Sequence, residues 1–435
     1  MTRESRASKG SLRPGRIAAA AAVFLGMAAA ILVGGLPAIS PTVEEGEQAG
    51  TGVASAPAPA PHFTPDRVEE VIEPVREQID ASAFAGAGVA LGVGGREFMA
   101  LGLGHIGWTR NAPPVDPDST MYDLASLTKV LATASAVLLL VDEGRMKLDE
   151  PVSRYLPQFA TGPKSEVTIR HILTHRSGLP AGTVLRGETR SERLDYAASL
   201  PIYPPAGAHE EYSDVGFILL WDAAERAAGE PLTAYLQRKL YRPLGMTATR
   251  FAPGLDCEPC APTGRLRDQS LYRGRAFDPI AQQLDGISGN AGLFSSARDV
   301  GRFTAMVVNG GELDGVRIFS PEIAREFVAI QPSAGRFRIA WEEVCDRRSD
   351  DADQEDETGC RDPIVIGHTG WTGGSIRIDL DRGVWVVLLT NRTYEPRAPN
   401  RIQEVRRELF ARAVKGAPMG RPLDDAGGDA TAPEG

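Results

Sequence analysis

The stretch from Ser126 to Glu143 is apolar on every side: Leu127, Val130, Leu131, Val137, Leu138, Leu139, Leu140 and Val141 are spread around a helix, and Gly144 suits its C-cap. A helix without a polar face must be enclosed by protein, so the rest of the chain has to fold around it. At 435 residues, 42% of them hydrophobic, the chain can supply that core as one two-lobed domain or as two domains. Lys129 interrupts the apolar surface and is one of only six lysines. A buried ammonium is costly without a partner, so this lysine needs one.

The outer parts of the chain read as strands. Gly88–Val93 and Glu97–Leu103 flank Gly94-Gly95, a hairpin signal, and Gly374–Leu380 and Val384–Thr390 flank Asp381-Arg382-Gly383, a second one. Helices are predicted over Val68–Ile79, over Phe217–Ala228 with Gly229 as its cap, and from about Asn400 to Lys415. The fold class expected is α/β: an antiparallel sheet built from both ends of the chain and flanked by helices, with an all-helical lobe inserted.

Arg3, Arg6, Lys9, Arg13 and Arg16 stand against one acid, Glu4, ahead of an apolar run from Ile17 to Ile39. Residues 1–39 therefore read as a signal peptide or an N-terminal membrane anchor, and the length of the run favours the anchor. Either places the remainder at the periplasmic or extracellular face, with residues 17–39 able to hold it in the inner membrane. Residues 40–61 form a Pro/Ala-rich linker, 62–415 the folded domain, and 416–435 a disordered tail. In an oxidising compartment the four cysteines read as local disulfides, Cys257 with Cys260 and Cys345 with Cys360, the latter bracketing an acidic loop. Zinc is the alternative for Cys257-x-x-Cys260, but no second ligand pair accompanies it. A net charge of −10 argues against nucleic acid as a partner.

Three short elements carry chemistry. Ser126-Leu127-Thr128-Lys129 is the only Ser-x-x-Lys in the chain, and it places a lysine one turn from a serine at the start of the buried helix. A serine hydroxyl is a poor nucleophile without such a neighbour, and a helix N-terminus favours developing negative charge. Tyr212-Ser213-Asp214 is the second element. His368-Thr369-Gly370 is the third, expected to begin a strand of the final hairpin, with Gly370, Gly373 and Gly374 allowing close backbone approach.

In this order and spacing the three elements resemble the Ser-x-x-Lys, Tyr-x-Asn and Lys-Thr-Gly motifs of the penicillin-recognising serine hydrolases: class C β-lactamases, low-molecular-weight D-Ala-D-Ala carboxypeptidases and esterases of the same fold. Tyr122-Asp-Leu-Ala-Ser126, Thr168-Ile-Arg-His-Ile-Leu-Thr-His175, Arg242-Pro-Leu-Gly-Met246, Gly289-Asn-Ala-Gly-Leu-Phe-Ser295 and Leu389-Thr-Asn391 are similar to the same family. The resemblance spans about Val68 to Val414. It implies Ser126 as nucleophile, Lys129 as its activating partner and Tyr212 as general base or proton relay. Asp214, His368, Thr369 and Gly370 would contact substrate, and the N–H groups of Ser126 and Trp371 would form the oxyanion hole. It also implies acyl transfer without metal or cofactor, on peptidoglycan peptides or small esters and amides, with β-lactams as covalent ligands. The rival reading is a catalytically silent penicillin-binding sensor or scaffold, which need not keep Ser126, Lys129 and Tyr212.

Two positions depart from the pattern. Asp214 stands in place of Asn, and its carboxylate would hold Lys129 protonated, shifting the base role to Tyr212. His368 stands in place of Lys, so recognition of a substrate carboxylate should weaken near neutral pH and improve as pH falls through the range of an ordinary histidine, roughly 6.5. A nearby Asp214 would raise that range. His171 and His175 read as structural.

Overall fold

The structure is a computed structural model that describes residues 62–95, 97–331, 335–344, 364–399 and 401–419. The N-terminal stretch expected to be a signal peptide or membrane anchor, the expected linker up to residue 61, Cys345, Cys360, the acidic stretch between them and residues from 420 onward lie outside the described residues. Six strands form the main sheet: β1 (Gly86–Val93), β2 (Glu97–Gly104), β3 (Glu342–Glu343), β4 (Val365–Thr369), β5 (Ser375–Asp379) and β6 (Val384–Thr390). The helices that position the site are α1 (Pro65–Asp80), α2 (Ser135–Asp142), α3 (Ile169–Leu173), α4 (Asp214–Ala228), α5 (Ala297–Val308) and α6 (Ile402–Val414).

The sheet runs β3-β4-β5-β6-β1-β2 with antiparallel neighbours throughout, so the last strand pairs with the first. Ala87 lies opposite Thr390 and Val93 opposite Val384. Alternation of period two divides the side chains between two cores. Ala87, Val89, Leu91, Val384, Val386 and Leu388 pack with α1 and α6. Ala90, Trp385, Val387 and Leu389 face the other way, into the core that holds α5 and the helical lobe. Gly88 lets α5 close on the sheet, since a Cβ there would lie 2.9 Å from that of Ala297. The result is the expected α/β arrangement, with the helical lobe inserted between β2 and α5.

Two local expectations are corrected. The stretch after Ser126 is not one α-helix: a 3-10 turn at Ala125–Leu127 leads into a π-turn at Lys129–Ala134 and then α2. The wide turn is stabilised from the side, because Ser135 Oγ donates to the Val130 carbonyl at 2.8 Å and Thr133 Oγ1 to the Gly289 carbonyl at 2.7 Å. Among the described residues this stretch, Ala125–Asp142, is the one helix apolar enough to cross a membrane, and protein buries 83% of it. Second, His368 and Thr369 close β4 instead of opening a hairpin strand. A tight turn follows them, made possible by Gly373 at φ 120° and closed by Gly370 N–H donating to the Gly374 carbonyl at 2.8 Å.

Candidate active site

From Thr120 to Leu140 every residue is buried except Ser126. An elbow in the backbone presents it: Ala125 has φ +45°, a strained value for a residue with a side chain, costing on the order of 1–3 kcal/mol. Asp123 holds the elbow, accepting from the Ala125 N–H at 2.9 Å and, through its second oxygen, from the Phe277 N–H at 2.7 Å. Burial pushes the Asp123 carboxyl up to about 6. The Cys257–Cys260 pair is disulfide-bonded, and its loop braces the approach to the elbow: Met121 N–H donates to the Pro259 carbonyl and Ala261 N–H to that of Met121, each at 2.9 Å.

Lys129, fully buried, places its Nζ 3.1 Å from Ser126 Oγ, 3.1 Å from the Asn290 carbonyl and 2.6 Å from Asp214 Oδ1. The first two accept hydrogen bonds from the ammonium, and the Asp214 carboxylate faces it as an ion pair. Burial acts to lower its pKa, but the fields of Tyr212 and Asp214 outweigh that and hold it above the ordinary lysine value. Lys129 is a cation at neutral pH and donates to the serine oxygen. Asn290 reaches it because the loop before α5 is pressed onto α4, where a Cβ at Gly289 would lie 2.0 Å from the Phe217 carbonyl oxygen.

The second motif sits at the start of α4. Ser213 is the N-cap, its hydroxyl accepting from Gly216 N–H at 3.0 Å, and the cap sets Asp214 in the first turn, facing Lys129. The Tyr212 ring lies 4.7 Å from Lys129 Nζ and stacks on His175 at 4.4 Å. His175 is itself fixed: its Nδ1 accepts from the Ser213 N–H at 3.0 Å, which leaves the ring proton on Nε2. Burial, reinforced by the Lys129 charge, drives the pKa of His175 well below the usual histidine range. His175 is thus the neutral platform of Tyr212, a role its place in the sequence did not signal.

The third wall is the end of β4. Thr369 is half-buried opposite Ser375. A Cβ at Gly370 would lie 2.5 Å from the Leu124 carbonyl oxygen, so only glycine lets this turn rest on the elbow beside Ser126. Thr372 Oγ1 ties the two together by donating to the Asp123 carbonyl at 2.6 Å. Trp371 projects outward, 68% exposed, with the Arg392 guanidinium 5.3 Å from its ring. The N–H groups of Ser126 and Trp371 donate to no backbone acceptor among the described residues, which leaves both available to an oxyanion.

His368 behaves differently from the sequence expectation. It is 4% exposed, with Nδ1 directed at the Thr369 carbonyl at 3.0 Å. Burial, then the charge of Lys129, push its pKa down to about 3; Asp214 does not raise it. A base with a depressed pKa stays neutral until pH falls to the folded value, so His368 carries no charge anywhere between pH 5.5 and 8.5. The ratio of kcat/KM for a carboxylate-bearing substrate to that for its neutral ester is therefore expected to be flat with pH over this window, contrary to the improvement in acid inferred from sequence. A ratio rising several-fold below pH 6.5 in the wild type, and no longer rising in a His368→Gln variant, would show that His368 titrates.

Ser126, Lys129, Tyr212 and Asp214 thus form one contiguous cluster, with His368 6.2 Å from Tyr212 and Gly370 on the elbow. Among the described residues no group of three or more His, Cys, Asp or Glu side chains could hold a metal ion. Three contributors escaped the sequence reading: the Asn290 carbonyl, the His175 platform and the Asp123 brace.

The sequence profile of the family described as Beta-lactamase matches residues 71–409. A protein of Escherichia coli (strain K12), provisionally named a D-alanyl-D-alanine carboxypeptidase, is 31% identical over 309 residues, covering 64% of this chain and 70% of that one. The N-acetylmuramyl-L-alanine amidase of Bacillus subtilis (strain 168) is 29% identical over 371 residues, covering 77% and 83%. In three dimensions, the β-lactamase/D-alanine carboxypeptidase of Pseudomonas syringae superposes with a TM-score of 0.62 at 19% identity, covering 81% of this chain and 99% of that one.

Proposed function

The chain belongs to the β-lactamase family of serine hydrolases, and from that premise we propose that it is an exported enzyme that cleaves D-Ala-D-Ala-ended peptidoglycan peptides through an acyl-enzyme on Ser126. The observation that carries this reading is the contact of Lys129 Nζ with Ser126 Oγ at 3.1 Å, inside a cluster that also gives the ammonium the Asn290 carbonyl as acceptor and Asp214 as counter-ion. Ser126 Oγ attacks the substrate carbonyl while its proton passes to the Tyr212 hydroxyl, which relays its own phenolic proton towards the leaving nitrogen. The fixed Lys129 cation stabilises the negative charge that develops on the serine oxygen, and the N–H groups of Ser126 and Trp371 receive the oxyanion. The amine departs with the relayed proton, and water hydrolyses the acyl-enzyme. Thr369 orients the acyl group.

The name of the Escherichia coli relative, a D-alanyl-D-alanine carboxypeptidase, supports the substrate class, while that of the Bacillus subtilis relative, an N-acetylmuramyl-L-alanine amidase, names a different amide bond. The basic and apolar N-terminus supports export, with residues 17–39 as anchor. A neutral His368 favours a second reading, hydrolysis of small neutral esters, because no permanent charge stands where the family has lysine.

The test is to incubate the full chain with a fluorescent penicillin and, separately, with a D-Ala-D-Ala-ended pentapeptide, following the intact mass over time. The expected result is an adduct confined to the peptide that contains Ser126, together with release of D-alanine. Turnover of esters without either event would replace the carboxypeptidase reading by the esterase one.

A further inference from the structure

Arg406 lies on α6, between Ile402, Val405, Leu409 and Phe410, on the face that packs against the sheet, and it is 3% exposed. A guanidinium at such depth is ordinarily paired with a carboxylate. Here the charged groups that act on it are Arg392 and Arg377, and both repel it. Its Nε has no hydrogen-bond partner among the described residues. Burial, then those two arginines, pull its pKa down to about 9, which still leaves it charged at neutral pH. The cation is spent on two backbone carbonyls: Nη2 donates to Gly370 O at 3.0 Å and to Gly374 O at 2.7 Å, while Nη1 reaches Gln403 Oε1 at 3.3 Å.

The Gly370 carbonyl and the Trp371 N–H belong to one peptide unit. In a trans peptide the two bonds point in opposite directions, so a carbonyl aimed at Arg406 turns the N–H away from it. Gly370 O also accepts from Gly373 N–H at 3.0 Å, so two donors, one of them a cation, withdraw electron density from this peptide. Such polarisation strengthens the N–H on its other side as a donor, and charge-assisted bonds are roughly twice as strong as neutral ones.

We propose that Arg406 is a positioning residue of the oxyanion hole: from behind the turn it orients and polarises the Gly370–Trp371 peptide, so that the Trp371 N–H stabilises the tetrahedral anion formed on Ser126. The proposal rests on the acyl-enzyme reading above. Its effect falls on the transition state and not on substrate binding, because the oxyanion exists only after attack.

The test uses phenylboronic acid, which forms a B–O bond to Ser126 Oγ, releases the serine proton and becomes a tetrahedral anion. Its inhibition constant is measured beside kcat and KM for p-nitrophenyl acetate and the melting temperature, in wild type, Arg406→Gln and Arg406→Lys. The glutamine variant is expected to lose roughly 10- to 100-fold in kcat and a similar factor in boronate affinity, with KM changed less than about twofold, a smaller loss than removal of an oxyanion donor brings. The lysine variant, which keeps the charge, is expected to recover most of both. A folded glutamine variant with wild-type kcat and boronate affinity overturns the proposal. So does a loss in both variants that merely tracks the melting temperature. Should the glutamine variant not fold, the lysine variant decides: near-wild-type boronate affinity supports the role, and a tenfold loss at wild-type melting temperature overturns it. Covalent labelling of wild-type Ser126 separates the two readings, since its failure would sink the acyl-enzyme itself, whereas a labelled wild type with indifferent Arg406 variants sinks this inference alone.

Discussion

Replacing Ser126 with alanine is expected to lower kcat/KM for an activated ester by at least about 1,000-fold while leaving the fold intact. The change removes the atom that bonds to substrate, and what survives is the rate supplied by the oxyanion hole and by substrate binding. Stability should hardly move. Ser126 is the one residue of its stretch that is not buried, and Lys129 keeps the Asn290 carbonyl and Asp214 after the hydroxyl is gone. Kinetics and thermal melting on the same preparation check both halves. An alanine variant that hydrolyses the ester at the wild-type rate would remove Ser126 from the mechanism.

Lys129→Met should be as damaging to catalysis, with a loss of about 1,000-fold or more, and should also destabilise the protein. Methionine fills much of the lysine volume, but Asp214 loses its cation at 2.6 Å. Asp214 retains 24% exposure, so water softens the penalty to about 1–3 kcal/mol, below that of a fully buried orphan charge. Adding Asp214→Asn separates the two effects. The double variant is expected to regain most of the lost melting temperature and none of the lost rate. Activity returning with stability would mean that Lys129 serves the fold alone.

Much of the architecture was written in local pattern. Period-two alternation in Gly86–Val93 and Val384–Thr390 divides their side chains between two cores, and glycine-containing turns mark both hairpins. The helix that is apolar on all sides could only be central. The three motifs named the residues that meet in the site because each supplies a side chain of distinctive chemistry.

Tertiary structure alone decided how the cation of that site is anchored and that its histidines are neutral. Asp214 was legible as the partner that keeps Lys129 protonated, but the carbonyl that anchors the ammonium, that of Asn290, lies 161 residues away and carries no signature in a sequence. His368 is neutral because it is buried beside that cation, so the titration expected of a free histidine is lost. His175 and Arg406 look like ordinary structural residues until the fold stacks one on Tyr212 and sets the other behind Gly370. Residue type and spacing are local properties and can be read along the chain. Charge state follows from distances and burial, which exist only once segments far apart in sequence have packed together.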